Sequence, residues 1–501
     1  MISYQESMRR LRDDLLRADY LATPVLEAIT EQGQAGLTRN HTIAASRALE
    51  GRHDPLATMI RLFVLQQRQP AEQVARAFDV QSLCELGILA PVGDGYIAKV
   101  DIRPYEDQTD GTSGWVVSDH TAALNTAEES PRPDHVLGMS PASASLSQIT
   151  SKRHVGRALD LGTGSGVQSL HLLSHADQVV ATDLNPRALT LATLTFALNG
   201  VDVTTKMGSL YEPVENQTFD LIATNPPFVI SPVIGPRLVY RETAYRCDDV
   251  MRAVVEGAAP RLNQGGSLHV VGNWAHIAGT DWRDRVAGWV PADCDAYIVQ
   301  REVLDPYEYI EIWLADAGLR GKESYLHNYE QWLTYFDELH IEAIGMGWIT
   351  IVKSGTHTPN VVAEHWPYPV SQLVSDDLMA HLEAMEYQTW TDQEILDRHW
   401  VLASGAVQEV TSLPGRPDEP IHVVLRRTDG LQRAIEVDQG LGAVLGACDG
   451  ELALGQIINA VAHLIEAEPT EFTSRMIPEL TRLIGQTWLT PATDRGMSGL
   501  A

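Results

Sequence analysis

Cysteine is scarce in this chain. The 501 residues contain four cysteines, Cys84, Cys247, Cys294 and Cys448, and they lie far apart. No Cys-x-x-Cys pair occurs, which argues against structural zinc and against a disulfide framework. We expect reduced thiols, as in a cytoplasmic protein.

Long hydrophobic runs are also missing. The longest uninterrupted apolar stretches fall well short of the ~20 residues that span a bilayer. The N-terminus carries Arg9, Arg10, Asp13 and Asp14 where a signal peptide would have its apolar core. We therefore expect no membrane partner and a cytoplasmic location. The oligomeric state is left open by the sequence.

Basic residues are few compared with acidic ones. There are 37 Lys and Arg against 66 Asp and Glu, a formal net charge of −29, of which residues 261–501 carry −20. Nucleic-acid binding relies on cations, so this composition weakens an RNA substrate without excluding it. It also fits a protein substrate, or RNA within a ribonucleoprotein. A local basic surface could form from seven residues of the first half: Arg9, Arg10, Arg12, Arg17, Lys152, Arg153 and Arg157.

A glycine-rich turn follows a strand-like segment near residue 160. Residues 157–161 resemble a buried strand, residues 162–166 read Gly-Thr-Gly-Ser-Gly, and residues 167–173 have helical apolar spacing. Such a turn lets the backbone approach a ligand closely. A second strand-like segment ends at Asp183, about 20 residues on, where a carboxylate suits ribose hydroxyls. The G-x-G-x-G spacing favours a nucleoside with an amino-acid tail over a dinucleotide.

A proline elbow follows another strand-like segment. Asn225-Pro226-Pro227-Phe228 comes directly after the apolar residues 219–224. Two prolines fix the backbone and remove two donors, leaving an amide side chain, free carbonyls and one aromatic face. Such an elbow can bind a planar NH2 group, whose hydrogens the oxygens accept while the ring stacks on its plane. A plain turn that ends a strand is the alternative.

The three segments in this order resemble the class I S-adenosylmethionine-dependent N-methyltransferases. The similar group is the small-domain bacterial enzymes that methylate ribosomal or transfer RNA bases, or glutamine in release factors. The clear resemblance covers roughly residues 135–274, with a looser one to about residue 352. It implies an α/β fold of the Rossmann-like class I methyltransferase type with a mostly parallel seven-stranded sheet, and S-adenosyl-L-methionine as cofactor.

The resemblance also implies roles for individual residues. Asn225 and the Pro226 carbonyl would bind the target nitrogen, Pro227 would keep the elbow rigid and Phe228 would stack on the target. Many relatives have Tyr in place of Phe, and Ser209-Leu210 departs from the acidic or aromatic residue common there. The implied cofactor-binding residues are Asp160, Gly162, Thr163, Gly164, Ser165, Gly166, Asp183, Leu184, Ser209, Leu210 and Asn225.

The chemistry requires neither a metal nor a conventional general base. A sulfonium is already a good leaving group, so positioning and electrostatics can supply most of the rate. His171 and His175 stand at i, i+4 on the helix that follows the turn, but no third ligand with suitable spacing is evident, and we predict no metal site. Tyr240 and Arg241, which follow the elbow, are candidate substrate-binding residues, with a solvated loop as the alternative.

Domain organisation follows from the segments around this region. Residues 1–105 are predicted to form a helical domain ending in a hairpin, which resembles a winged-helix module, and residues 106–134 a linker. Residues 135–355 form the catalytic domain, in which residues 305–309 read as a turn entering a strand. Residues 375–501 are predicted to be an acidic, mainly helical domain that is also compatible with a winged helix.

The sequence thus predicts an N-methyltransferase that acts on a planar NH2 group. The favoured substrate is an exocyclic amine of an RNA base, and a protein glutamine amide, as in release factors, is the alternative. A regulator that binds the cofactor without turnover is a further alternative, which the intact elbow at residues 225–228 disfavours.

Overall fold

Helices make up most of the first 100 residues. The computed structural model describes residues 4–121, 124–126, 131–233, 238–242, 244–355, 358–371, 374–414 and 420–492. The apolar faces of these helices share one buried core, to which Tyr20 and Phe63 contribute their rings. The helices are α1 Tyr4–Arg17, α2 Ala22–Thr38, α3 Ile43–Ala48, α4 Pro55–Met59, followed by a π-helical turn Ile60–Val64, α5 Ala71–Ala77 and α6 Val80–Glu85.

Two small sheets follow these helices. The predicted hairpin is present, and Val92 pairs with Gly95 across its two-residue turn. A second hairpin begins just before the predicted linker and ends inside it, so the predicted linker is partly folded. The strands are β1 Gln69–Pro70, β2 Leu89–Val92 and β3 Gly95–Ala98 in one sheet, and β4 Asp101–Glu106 and β5 Ser113–Ser118 in the other.

A large sheet forms the centre of the next region. Its strands are β6 Val155–Leu161, β7 Ala176–Asp183, β8 Thr204–Met207, β9 Phe219–Thr224, β10 Leu262–Ile277, β11 Asp295–Leu304, β12 Ile341–Val352 and β13 Val361–His365. Among the described residues these eight strands lie in the order β13-β11-β12-β10-β9-β6-β7-β8. Strands β6 to β10 pair in parallel, and β12 is antiparallel to β10. The predicted mostly parallel α/β sheet is confirmed, with β13 as one strand more than expected.

The register of three central strands places their ends side by side. Leu161 of β6 pairs with Thr182 of β7 on one side and with Thr224 of β9 on the other. The Thr224 hydroxyl also donates to the Leu161 carbonyl at 2.7 Å. Because the strands are parallel, the segments that follow these residues leave the sheet at the same level, where doubly wound folds bind ligands.

Helices pack around this sheet, and several begin at residues with capping side chains. The Asn185 side chain accepts from the Arg187 amide at the start of α9, and Asp305 accepts from the Tyr307 and Glu308 amides at the start of α12. Residues 305–309 therefore begin a helix, and their interpretation as a turn entering a strand is wrong. The helices are α7 Pro141–Ile149, α8 Val167–Leu172, α9 Pro186–Asn199, α10 Asp249–Glu256, α11 Trp282–Ala287, α12 Pro306–Asp316 and α13 Tyr325–Glu338.

The chain divides into two compact units. One comprises residues 1–294 and 298–366, and the other comprises residues 295–297 and 367–501. The first 105 residues and the large sheet, apart from residues 295–297 of β11, thus belong to the same unit. They share a core in which Leu191 and Leu198 of α9 pack with residues of the N-terminal helices. The finer boundaries between residues 1–105, 106–134 and 135–355 remain predictions.

The second unit combines helices with two small sheets. Trp400 and Trp488 are fully buried in its core. Across the described residues of both units, no helix has the length and apolar character needed to span a bilayer. The elements of the second unit are α14 Ser375–Ala384, α15 Asp392–Asp397, β14 His399–Leu402, β15 Ala406–Ser412, β16 Pro420–Arg427, β17 Ala434–Glu436, α16 Gln439–Gly446, β18 Asp449–Ala453, α17 Leu454–Leu464, α18 Pro469–Gly485 and β19 Leu489–Pro491.

Candidate active site

A cavity of about 360 Å³ opens at the carboxyl ends of β6, β7, β8 and β9. Each strand contributes the residues at its end, so segments far apart in the chain line one space. The lining consists of residues 135–138, 160–165, 182–185, 208–210 and 224–227, together with Ser140, Ser143, Val167, Gln168, Ala188, Val239, Tyr240, Glu242, Ala244, Tyr245 and Val250. The structure thereby brings together most of the residues predicted from the sequence.

The glycine turn requires its glycines. Gly162, Gly164 and Gly166 have φ angles of 78°, 54° and 87°, in the left-handed region that other residues rarely adopt. A Cβ atom on Gly166 would lie 2.7 Å from the ring of Phe196, whereas a Cβ on Gly162 or Gly164 would meet no atom within 4 Å. Gly162 and Gly164 therefore face open space in the cavity, while Gly166 is not part of the lining and allows α8 to pack against α9.

Asp160 stabilises the turn from beneath. Its side chain is buried and accepts hydrogen bonds from the hydroxyls of Thr163 at 2.6 Å and Ser169 at 2.7 Å. Burial disfavours the carboxylate and raises the pKa of Asp160 to about 6, although the two hydroxyls act in the opposite direction. Asp160 thus links the end of β6 to the turn and to α8.

Asp183 joins the turn to the end of β7. Its carboxylate oxygens accept hydrogen bonds from the amides of Gly164 at 2.9 Å and Asn185 at 2.8 Å. Burial raises its pKa above the ordinary value. Next to it in the lining are three further predicted residues, the exposed Leu184 and the half-buried Ser209 and Leu210. Their contacts with a ribose and an adenine remain predictions.

Three residues of the elbow line the cavity, and one of them carries a buried acceptor without a partner in the described part of the chain. Asn225, Pro226 and Pro227 all belong to the lining. The Asn225 Oδ1 atom is buried and accepts no hydrogen bond from the residues that the structure describes. A buried acceptor without a partner is costly unless a ligand supplies the donor. The role of Asn225 as the acceptor of an N–H group from a bound molecule stays a prediction.

Phe228 lies outside the cavity lining. Its ring packs edge-to-face against Trp313 of α12, with 6.2 Å between the ring centroids. It belongs to an apolar cluster with Val229 and Ile230, which follow it in the chain. Phe228 is thus the one residue of the elbow that does not line the cavity, and its stacking on a target stays a prediction.

The two predicted substrate-binding residues differ in placement. Tyr240 lines the cavity, and its hydroxyl donates to Asp316 at 2.7 Å. Arg241 is buried, does not line the cavity, and forms ion pairs with Asp316 and Glu242, each at 2.8 Å. Its charge is therefore neutralised within the protein. A contact between Tyr240 and a substrate stays a prediction, whereas Arg241 serves to hold the segment that carries it.

Some lining residues escaped the sequence analysis. His135, Val136 and Leu137 lie at the start of the predicted catalytic domain, and only the folded chain shows that they reach the cavity. Asn185 could have been found from the sequence, because an Asn followed by a proline, here Pro186, is typical of the start of a helix.

Four of the seven residues of the predicted basic surface are paired with carboxylates. Arg9 and Arg10 pair with Glu6 at 2.8 and 3.0 Å, and Arg17 pairs with Asp14 at 2.9 Å. Two further members, Lys152 and Arg157, bind Asp110 and Gln217. These residues therefore offer less positive charge to a nucleic acid than their number suggests.

One cluster among the described residues has the composition of a metal site. Ligand atoms of Asp107, Asp110 and His171 lie within 4.8 Å of one another. Lys152 already supplies a cation to Asp110 at 2.8 Å, and the two ring nitrogens of His171 contact Asp110 and the Tyr105 hydroxyl at 2.7 and 2.8 Å. Asp110 and His171 thus have partners within the protein, and His175 is not part of the cluster. The absence of a metal site stays a prediction.

Comparison with known proteins places two segments of the chain. Residues 138–279 match the family described as methyltransferase small domain, and residues 17–99 match a domain of unknown function, DUF7059. The release factor glutamine methyltransferase of Geobacter sulfurreducens is 36% identical over 129 residues, which are 23% of this chain and 45% of that protein. The ribosomal RNA small subunit methyltransferase C of Alcanivorax borkumensis is 31% identical over 118 residues, 24% of this chain and 32% of that protein.

The two curated relatives match about a quarter of this chain. The chain spans less than half the length of these two curated relatives. A solved structure, the 16S rRNA N2 G1207 methyltransferase of T. thermophilus with AdoMet and guanosine, is 16% identical and has a TM-score of 0.27, with 44% of this chain and 58% of that chain covered.

The raised pKa of Asp160 predicts a pH-dependent stability. The folded protein retains a proton on Asp160 that the unfolded chain loses near pH 4, so this group lowers the stability progressively as the pH rises from 4 towards 6. The loss should be on the order of 3 kcal/mol. In urea unfolding at pH 4 to 7, Asp160→Asn should flatten this dependence. Asp202→Asn, which changes an exposed carboxylate, should retain it; equal slopes in wild type and Asp160→Asn would contradict the assignment.

Asp183 should contribute to cofactor affinity. We expect Asp183→Asn to weaken binding of S-adenosylhomocysteine by about 10- to 100-fold, the loss of hydrogen bonds to a charged group. Isothermal titration calorimetry measures the affinity directly. Asp177→Asn, at the other, exposed end of the same strand, is the matched control. Equal affinities for the wild type and both variants would show that Asp183 does not contact the ligand.

Proposed function

We propose that this chain, whose residues 138–279 form a methyltransferase small domain, transfers a methyl group from S-adenosyl-L-methionine to the nitrogen of a planar NH2 group. The observation that carries the proposal is that Asn225, whose buried Oδ1 atom has no hydrogen-bond partner among the described residues, lines the same cavity as the open side of the glycine turn. The side of the cavity at the glycine turn suits a nucleoside with an amino-acid tail, and the side at Asn225 suits an N–H donor.

The residues of the site fit that cofactor. Gly162 and Gly164 leave space for its methionine part, and Asp183 is the acceptor beside that space. Segment 208–210 lies at the end of the next strand, where an adenine would be held. S-adenosylmethionine supplies an electrophilic methyl group on a sulfonium, so the protein needs to align a nitrogen with it and needs no covalent intermediate.

Asn225 and Pro226 act on the nucleophile. The lone pair of an exocyclic amine or a side-chain amide is delocalised into its π-system, which makes the nitrogen a poor nucleophile. Hydrogen bonds from its two N–H groups to the Asn225 side chain and the Pro226 carbonyl favour a pyramidal nitrogen whose lone pair points at the methyl group. Alignment of this kind can supply about 7–11 kcal/mol of the barrier reduction. The alkylated nitrogen is strongly acidic, so its proton can leave after transfer.

The favoured substrate is an exocyclic amine of an RNA base, either free or in a ribonucleoprotein. A base in a duplex would have to be flipped out to reach Asn225. One observation favours the second candidate, a protein glutamine amide: Arg9, Arg10 and Arg17 of the predicted basic surface are paired with carboxylates in a chain of net charge −29. Both candidates have precedent in the names of the relatives. We propose a cytoplasmic location, consistent with four cysteines that form no disulfide among the described residues.

Removal of the Asn225 side chain tests the proposed role of the elbow. Asn225→Ala should lower methyl transfer by about 100-fold or more, as is typical for the loss of one preorganised polar group, while S-adenosylhomocysteine still binds. Asn216→Ala, an exposed asparagine outside the cavity, is the control. Transfer is measured with tritiated S-adenosylmethionine and a bacterial cell extract. Undiminished transfer by Asn225→Ala would refute the role of this residue.

The class of substrate is tested by digestion of the labelled extract. If the substrate is RNA, RNase should release the tritium and protease should leave it in high-molecular-weight material. Label that is lost only to protease would contradict the favoured substrate and support the glutamine alternative. The absence of label from both fractions, with the cofactor bound, would support a regulator without turnover.

A further inference from the structure

The elbow is anchored on the side that follows its prolines. Pro226 and Pro227 have no amide hydrogen, so the first amides available to hold this segment come after them. The Val229 amide donates to the Arg241 carbonyl at 2.9 Å, and the Ile230 amide donates to the Tyr309 hydroxyl, also at 2.9 Å. The position of the elbow therefore depends on two partners that lie far away in the chain.

The Tyr309 hydroxyl lies at the centre of a buried junction. Tyr309 is fully buried on α12, and its hydroxyl accepts a second hydrogen bond, from the Asn273 side chain at 2.7 Å. Asn273 is also fully buried, on β10. Val270 of the same strand pairs with Thr224, which precedes the elbow, so Asn273 extends beyond the end of β9 to the level of the elbow. One hydroxyl thus joins β10 to the elbow.

Aromatic packing fixes the Tyr309 ring. The ring centroids of Trp313, Trp332 and Phe336 lie 6.0, 6.4 and 6.0 Å from that of Tyr309. These residues belong to α12 and α13, which lie between strands β11 and β12 in the chain. The hydroxyl can therefore shift little, and the Ile230 amide has a fixed acceptor rather than a mobile one.

We propose that Tyr309 is a positioning residue, which holds the acceptors of Asn225 and Pro226 at the correct place through the Ile230 amide. The inference rests on the proposed function. Two of the four residues between Asn225 and Ile230 are prolines with fixed φ, so this segment has fewer free dihedral angles with which to absorb a shift at Ile230. A displacement of about 1 Å in a catalytic group can cost about 100-fold in rate.

The test compares two tyrosines of the same helical pair. Tyr309→Phe removes the hydroxyl and keeps the ring. Tyr335→Phe is the matched control, because the Tyr335 hydroxyl on α13 accepts from the Cys247 amide at 2.9 Å, a bond that does not involve the elbow. We measure tritium transfer from S-adenosylmethionine to a bacterial extract at saturating cofactor, S-adenosylhomocysteine affinity by calorimetry, and hydrogen exchange of a peptide covering residues 228–233.

For Tyr309→Phe we expect transfer to fall about 10- to 100-fold, unchanged S-adenosylhomocysteine affinity, and faster exchange of the Ile230 amide. Tyr335→Phe should retain wild-type transfer and exchange in this peptide. An equal loss of transfer in both variants would indicate a general structural role and overturn the inference. Unchanged exchange in Tyr309→Phe would overturn it whether or not the wild type is active.

The failure of the proposed function has a different signature. If the wild type binds S-adenosylhomocysteine and labels nothing in the extract, while Tyr309→Phe still accelerates exchange at residues 228–233, the transfer activity is refuted and with it the catalytic purpose of the anchor. If the wild type is active and Tyr309→Phe is equally active, the transfer activity stands and the positioning role is wrong.

Discussion

The pairing of β6 with both β7 and β9 is the constraint on which the site depends. Leu161 is in register with Thr182 and with Thr224, so the glycine turn, Asp183 and Asn225 emerge from the sheet at one level. The amide of Gly164, bonded to Asp183, ties the first two of these segments together. A shift of β9 by one residue would turn its side chains to the other face of the sheet and separate the elbow from the turn.

Two carboxylates of the site accept hydrogen bonds from the protein, whereas one amide oxygen accepts none within the portion of the chain that the structure describes. Asp160 and Asp183 are engaged by hydroxyls and amides of the protein, so they stabilise the turn before any ligand arrives. Asn225 Oδ1 is buried and still lacks a donor among the described residues. An acceptor held in place in advance needs no reorganisation when a nitrogen binds, which is the form of electrostatic preorganisation that accelerates reactions most effectively. In our proposal, the aromatic residues of α12 and α13 that surround Tyr309 hold this acceptor rigidly in place.

The sequence predicted the local patterns well and the distant contacts poorly. The glycine turn, the strands around it and the elbow are encoded within short segments, and the family resemblance that these segments carry implied a mostly parallel sheet. Phe228 was expected to face a substrate, but whether its ring turns towards a ligand or towards Trp313 is decided by a helix about 80 residues further on, which no local pattern reveals. The same applies to Arg241, whose carboxylate partner Asp316 lies 75 residues away. Asp305-Pro306 was a readable helix start, and it was misinterpreted because the aromatic residues after it suggested a strand.

The most direct measurement is a crystal structure of the protein with S-adenosylhomocysteine. The account predicts electron density for the ligand along residues 162–165, with its ribose at Asp183 and its sulfur facing the Asn225 side chain across the cavity. Density at another place on the protein, or a cavity that stays empty at saturating ligand, would contradict the account.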